Sequence, residues 1–426
     1  MSGRYLVVGL RRSGIAACEA IARVWPGSEI LAADSGADLD VGRLEALGIE
    51  ARLGGELAPV EGLDALVKSP GVPGEAAQVA AARAAGVPVW SEVELAARMM
   101  PENPIAGVTG TNGKTTTTHL LGAMMRAGGI ETEVAGNVGR ALTELPGRIA
   151  PGTWIACELS SFQLEDIDRF RCRVAVILNL TPDHLDRHGS MEEYMRCKLR
   201  ILENQVTGDT AVLNGDDPVL RAADLPGAGT RTWFSTSDPG PLDWEHARLR
   251  GQHNLENAVA AAAAARAAGA GDAAVNAALR DFDPPPHRLQ PVAAARGIEW
   301  VNDSKATNPD ATVKALTAFD HGVHLILGGS LKGGSFAAMA AAIAVGPVAR
   351  SYLIGASADA IAAALDAAGA GYVQCGTLER AVAEASAAAA AGDTVLLSPA
   401  CASFDQFRDY EQRGERFAEL ARAAAR

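Results

Sequence analysis

Residues 105–118, reading Ile-Ala-Gly-Val-Thr-Gly-Thr-Asn-Gly-Lys-Thr-Thr-Thr-Thr, constrain the fold more than any other stretch. An apolar run enters a glycine-broken turn, and Lys114 and Thr115 open a helical run through His119-Leu120-Leu121 and Met124-Met125. Strand, glycine loop, lysine, hydroxyl and helix, in that order, hold a nucleotide triphosphate. Backbone N–H groups and the helix N-terminus face the phosphates, the lysine neutralises charge, and the hydroxyl meets magnesium. The usual spacing places a glycine at 108, where this chain has Val108, so Gly107 and Gly110 must shape the loop differently. An ordinary turn containing Gly-Lys-Thr is the plain alternative. ATP is the expected ligand.

At 426 residues the chain exceeds a single core, and two to four domains are expected. A hydrophobic content of 48% with 21% charged residues is globular. The net charge of -13 argues against a nucleic-acid partner, because that affinity rests on basic surface. No apolar run is long enough for membrane insertion, and the N-terminus enters a strand by Tyr5 without a cleavable signal pattern. Cys18, Cys157, Cys172, Cys197, Cys375 and Cys401 form no close pair and no metal-ligand spacing, as expected of reduced thiols in the cytoplasm. Only six of the 38 basic residues are lysine: Lys68, Lys114, Lys198, Lys305, Lys314 and Lys332. In so arginine-rich a chain, a lysine points to work that a guanidinium cannot do, such as filling a tight phosphate site or being modified.

The first residues read as strand, glycine turn, helix and strand, with Asp34 twenty residues after Gly14. A dinucleotide fingerprint would need glycine where Arg11 stands, which argues against NAD. An Arg-rich loop suits a different phosphorylated ligand, with Asp34 or Ser35 near a sugar or base, and residues 66–72 completing the cleft. A plain α/β turn is the alternative. Beyond residue 93, apolar runs end in polar residues at Glu158-Leu-Ser-Ser, at Thr181-Pro-Asp-His184-Leu-Asp186 and at Asn214-Gly-Asp-Asp. Such runs are strands buried on both faces, and ligands collect at their carboxyl ends. Ser190 to Glu193 reads as a capping box opening a helix that carries Lys198, whose neighbours Arg196 and Arg200 favour a solvated lysine. Pro284-Pro-Pro286 marks a linker where regular structure stops. After it, further strands alternate with alanine-rich helices. Three of them end in Asn302-Asp-Ser-Lys-Ala-Thr-Asn308, Gly328-Gly-Ser-Leu-Lys-Gly-Gly334 and Ser398-Pro-Ala-Cys-Ala-Ser-Phe-Asp405. These turns are expected on one edge of one parallel sheet, forming a ligand cleft.

Together these stretches resemble one family, the Mur ligases, the ATP-dependent enzymes that build the peptide stem of the bacterial cell wall. Thr109-Gly-Thr-Asn-Gly-Lys114-Thr115-Thr116 is similar to that family's ATP loop. Glu158-Leu-Ser-Ser-Phe-Gln163, Asn179-Leu-Thr-Pro-Asp-His184-Leu-Asp186, Gly251-Gln-His-Asn254, His287-Arg288 and Asn302 to Asn308 follow in the family's order. Residues 158–164, 302–307 and 397–407 resemble most closely the branch that adds D-glutamate to UDP-N-acetylmuramoyl-L-alanine.

The resemblance implies an α/β chain of three domains. Residues 1–93 would be a Rossmann-like domain for the UDP-sugar substrate, 94–286 a P-loop-like ATPase domain with a mostly parallel sheet, and 287–426 a Rossmann-like domain that binds D-glutamate and closes over ATP. It implies a cytoplasmic monomer using ATP and two magnesium ions, with manganese as a substitute. Lys114, Glu158, His184 and Lys198 would be catalytic. Thr115 and Glu158 would serve one metal and His184 the other, with Lys198 carbamylated into a further metal ligand. Gly110, Thr111, Asn112, Gly113, Thr116, Asn254, Asn257, Arg288 and Asp303 would complete the ATP site. Ser13, Asp34, Ser35, Gly71, Asn137, Ser160 and His184 would hold UDP-muramoyl-alanine. Lys305, Thr307, Lys332, Ser403 and Tyr410 would hold D-glutamate. Tyr410 departs from the family's phenylalanine, and Arg11-Arg12 and Ser35-Gly36 depart from its usual residues in the uridine cleft. The rivals are ligases of the same family adding L-alanine, a diamino acid or a dipeptide, the folate polyglutamate ligase, and a nucleotide-regulated binding protein without ligase chemistry.

Overall fold

The computed structural model describes residues 2–137, 139–249, 251–283, 286–331 and 335–426. Two compact units result: Met1–Asp243 with Asn257–Arg280, and Trp244–Glu256 with Asp281–Arg426. The chain therefore passes between units three times. Pro284, Pro285 and Lys332 lie outside the described residues.

The first unit holds two sheets. One comprises β1 (Arg4–Val8), β2 (Glu29–Ala33), β3 (Ala51–Arg52), β4 (Ala65–Lys68) and β5 (Val89–Ser91), ordered β3-β2-β1-β4-β5. The other comprises β6 (Ile105–Thr109), β7 (Thr132–Gly136), β8 (Trp154–Glu158), β9 (Val174–Ile177), β10 (Thr210–Asn214) and β11 (Thr230–Phe234), ordered β11-β10-β9-β6-β8-β7. All their pairings are parallel. The second unit holds β12 (Gln290–Ala295), β13 (Ile298–Asn302), β14 (Val323–Gly328), β15 (Val348–Ile354), β16 (Tyr372–Gly376) and β17 (Thr394–Leu397), ordered β12-β13-β17-β14-β15-β16. Only the β12–β13 edge is antiparallel. Among the described residues no helix is long and apolar enough to cross a membrane.

The continuous apolar runs account for the central strands, since parallel strands covered by helices on both faces carry no polar alternation. β6, β9 and β17 are buried at every residue. Because β6, β8 and β9 are parallel neighbours, their polar ends reach the same edge. The turns after β13, β14 and β17 do likewise, as expected. Gly107 departs from its expected part in the loop. It lies inside β6, where an added Cβ would overlap Cys172 Sγ and press on Leu159, so it serves packing and not the turn. Three edge strands carry no clear sequence pattern, for physical reasons. β7 contains a half-buried Glu133, β11 is exposed at four of five residues, and β12 opens on Gln290-Pro291, tolerable only at an edge.

Candidate active site

The phosphate loop joins β6 to the helix Lys114–Ala127. Gly110 has φ +151 and Gly113, at the N-cap, φ +87, so the two bends fall where side chains are poorly tolerated. A Cβ on Gly113 would also overlap Asn257 Oδ1. Asn257 therefore packs directly on the loop, and it accepts a hydrogen bond from Thr117 Oγ1 at 3.2 Å. Val108, fully buried in β6, is free to be a β-branched residue because the turn begins two residues later. Asn179, to which the sequence alone assigns no role, clamps the loop. Its carbonyl accepts from Thr111 N at 2.9 Å and its side-chain oxygen accepts from Asn112 N at 2.8 Å. Thr111 Oγ1 donates to Thr181 O and meets the Tyr194 hydroxyl at 3.1 Å. Thr115 and Thr116 are buried at the helix start.

Two ammonium groups converge on one carbonyl. Gly110 O accepts from Lys114 Nζ at 2.9 Å and from Lys198 Nζ at 2.7 Å; Lys114 also donates to Thr111 O. Lys198 is 2% exposed, and its Nζ lies 4.7 Å from the Tyr194 ring centroid. Burial pulls its amine well below the ordinary lysine value and the Lys114 charge adds to that, against opposition from Asp183, Cys197 and Glu158. The solvated reading of Lys198 is thereby overturned. Arg196 and Arg200 turn to surface Glu193 and Glu203, while position 198 falls on the buried face of the helix Met191–Leu199. The capping box is half made. Ser190 accepts from Glu193 N, but the Glu193 carboxylate goes to Arg196.

Glu158 ends β8 beside the loop strand, paired with Val108. Its Oε1 accepts from Asn137 Nδ2 at 3.1 Å, whereas its buried Oε2 has no hydrogen-bond partner among the described residues. A buried carboxylate oxygen without a donor suits a cation. Asn137 is thus tied to Glu158, at the end of the second sheet. No group of three His, Cys, Asp or Glu side chains gathers among the described residues, so any metal here would rely on Thr115, a modified lysine or the nucleotide for further ligands. His184 sits at the N-cap of the short helix Leu185–His188 with φ +53, a strained conformation for a histidine. Its N–H donates to Asp183 Oδ1, and its ring meets Phe162 edge-on at 5.0 Å. Ser160 caps the helix Ser161–Leu164, accepting from Gln163 N.

Beside β1 and β4 lies a cleft of about 480 Å³ that Ser13, Asp34, Ser35 and Gly71 all line, with Arg11. Asp34 works as a brace there. Its carboxylate accepts from Leu10 N at 2.6 Å and from Gly36 N at 2.8 Å, fixing both walls. Gly14 is required, since a Cβ would overlap Gly9 O. Arg187 and Lys68 gain partners that no sequence pattern indicates. Arg187 donates to Val72 O at 2.7 Å on the cleft wall and covers the Phe162 ring that His184 touches, linking the cleft to the turn at His184. Lys68, fully buried, pairs with Glu165 and Asp166, both at 2.6 Å.

In the second unit Asp303 meets the turn at Ser398, the Arg288 charge lies near Asp303, and Asn254 lies on the helix Gln252–Ala267. Asp303 Oδ2 accepts from Ser398 Oγ at 2.8 Å and Oδ1 from Leu289 N at 3.3 Å. Burial raises its carboxyl to about 7, outweighing those bonds and the nearby Arg288 and Arg413 charges. With the folded value above the unfolded one, the stabilisation is full below an unfolded pKa of about 4 and is lost as pH rises through about 7. Asp303→Asn is therefore expected to gain stability on the parent protein between pH 5 and pH 8. Chemical denaturation of both at each pH measures this, and a gap that does not widen would mean Asp303 is ionised throughout. Lys305 Nζ lies 5.2 Å from the Tyr410 ring centroid, Thr307 N donates to Lys305 O, and Ser403 is buried on the turn after β17. All six cysteines are buried.

Comparison with known proteins agrees with this geometry. Residues 108–244 match the Mur ligase middle domain and residues 287–401 the Mur ligase glutamate ligase domain. A UDP-N-acetylmuramoylalanine–D-glutamate ligase of Myxococcus xanthus is 44% identical, the alignment covering 99% of this chain and 98% of that protein. Its counterpart from Solibacter usitatus is 43% identical over 98% of this chain and 97% of that one. Among solved structures, a UDP-N-acetylmuramate-alanine ligase of Thermotoga maritima shares the fold with a TM-score of 0.59 at 19% identity, covering 99% of this chain and 100% of that one. The chain, with its glycine-poor phosphate loop and its paired lysines, belongs to the Mur ligase family.

Proposed function

We propose that this protein joins D-glutamate to UDP-N-acetylmuramoyl-L-alanine at the expense of ATP, releasing ADP and phosphate. The observation that carries the reading is the similarity, at 44% identity over 99% of the chain, to a ligase named for that reaction. The cleft beside β1 would take the UDP-sugar, the loop after β6 the ATP, and the turns after β13, β14 and β17 the D-glutamate. Residues 1–93, 94–286 and 287–426 are the proposed domains, residues 244–256 and 281–286 grouping with the third, and a cytoplasmic monomer is the proposed working form.

The chemistry follows from a free carboxylate being a poor electrophile. One carboxylate oxygen of the acceptor's alanine attacks the γ-phosphorus of ATP, and ADP leaves. The D-glutamate amine then adds to the acyl phosphate, loses a proton, and phosphate departs from the tetrahedral intermediate to leave the amide. Lys114 neutralises the phosphates from the loop. Glu158 Oε2 and the Thr115 hydroxyl would hold one magnesium and His184 a second. Bound there, magnesium or manganese would screen the crowded anions. The lowered pKa of Lys198 favours its neutral amine, the form that adds to carbon dioxide to give a carbamate and a proton.

Phosphate release from ATP tests the reading. It is expected to need both D-glutamate and UDP-N-acetylmuramoyl-L-alanine. Equal release with L-lysine, meso-diaminopimelate or no amino acid would reject the substrate assignment. Release without any acceptor would reject the ligase reading itself.

A further inference from the structure

The helix Tyr410–Ala424 buries Phe417, Ala418 and Ala421 against the sheet of the second unit, yet the same stripe begins with Arg413, which is 0% exposed. Among the described residues this guanidinium forms no ion pair. Its donors go to oxygens on three different turns. Nε donates to Ser304 Oγ at 2.9 Å and Nη2 to Ser304 O at 2.8 Å, after β13. Nη1 donates to Cys401 O at 3.1 Å and Ala402 O at 3.3 Å, after β17, and to Gly328 O at 3.5 Å, the last residue of β14. These three strands are neighbours in the sheet. The turns also interlock, since Ser330 N donates to Ala402 O and a Cβ on Gly329 would overlap that oxygen.

A buried charge without a direct ion pair, with Asp405 and Asp303 acting on it only at longer range, is a costly way to fill a helix face, and an apolar side chain of similar volume is often as stable. Burial lowers the guanidinium to about 10, which leaves it charged at neutral pH. A planar fork of five donors does what neither an apolar residue nor a lysine can: it fixes several carbonyl groups at set angles to one another.

We propose that Arg413 is the positioning residue of the amino-acid site, locking the turns after β13, β14 and β17 in one register. Ser304 immediately precedes Lys305, and Ala402 immediately precedes Ser403. Two residues assigned to D-glutamate thus sit next to groups that Arg413 holds. The proposal rests on the D-glutamate reading above.

Steady-state kinetics of the whole enzyme on each of its three substrates tests it, using the parent protein, Arg413→Met and Arg413→Lys, with the thermal midpoint of each recorded. The Met variant is expected to raise KM for D-glutamate by about tenfold or more while KM for ATP stays within about twofold. The Lys variant, which keeps the charge and loses the fork, is expected to fall between. Should the Met variant not fold, the Lys variant carries the same comparison. A D-glutamate KM equal to the parent's in the Lys variant overturns the proposal, as do three KM values that rise together with a falling thermal midpoint. A parent enzyme indifferent to D-glutamate overturns the substrate reading, and this proposal with it.

Discussion

Lys198→Ala is expected to lower kcat by about two to three orders of magnitude, with partial recovery on adding bicarbonate, formate or acetate. The size of the effect follows from the position of the amine. Lys198 Nζ reaches the same Gly110 carbonyl as the phosphate-loop lysine, inside the protein and behind the Tyr194 ring. As a cation it would repel Lys114; as a carbamate it would attract it and offer oxygens to a metal. Truncation to alanine leaves a buried space beside the loop into which a small carboxylate fits. The recovery is the discriminating result, because an ordinary structural lysine leaves no reason for acetate to help more than chloride at the same ionic strength. Loss of activity with no carboxylate-specific recovery would remove carbamylation from the mechanism.

Glu158→Gln is expected to cost about two orders of magnitude or more in kcat and to weaken the dependence of ATP binding on magnesium. The change is isosteric and keeps the bond from Asn137, provided the amide oxygen takes the Oε1 place. What changes is Oε2, a buried acceptor with no partner among the described residues, which becomes an NH2 group facing the proposed metal position. Calorimetric titration with ATP, with and without magnesium, separates the metal effect from a general loss of binding. A variant within about threefold of the parent in kcat would show that Glu158 is not a metal ligand.

Much of this site is legible in the amino-acid sequence, and the reasons are local. Lys114 and Thr115 follow a loop whose chemistry is fixed by a few adjacent residues. Glu158 and His184 follow apolar runs whose parallel pairing brings them to one edge. Other parts depend on partners distant in sequence. Lys198 reads as solvated between two arginines, although Tyr194 and Cys197 on the same helical face give a signal of burial four and one residues earlier. Arg413, Phe417 and Ala421 recur at helical spacing, so the stripe is legible, but not that a charge heads it. Asn179 and Arg187 act through backbone oxygens and amides 67 and 115 residues away, which no local pattern encodes.

The threefold passage of the chain between units has a consequence for biosynthesis. Residues 244–256 belong with Asp281–Arg426, where Gly251 packs on Ala318 and His253 meets the Lys314 backbone. They emerge from the ribosome before their partners, and the last partner follows after on the order of 10–30 s at typical translation rates. For that interval the start of the helix Gln252–Ala267 is attached to one unit and waits for the other. A fragment beginning at residue 287 would lack a segment of its own compact unit, so the carboxy-terminal unit is not a detachable module but is completed by a piece of chain made long before it.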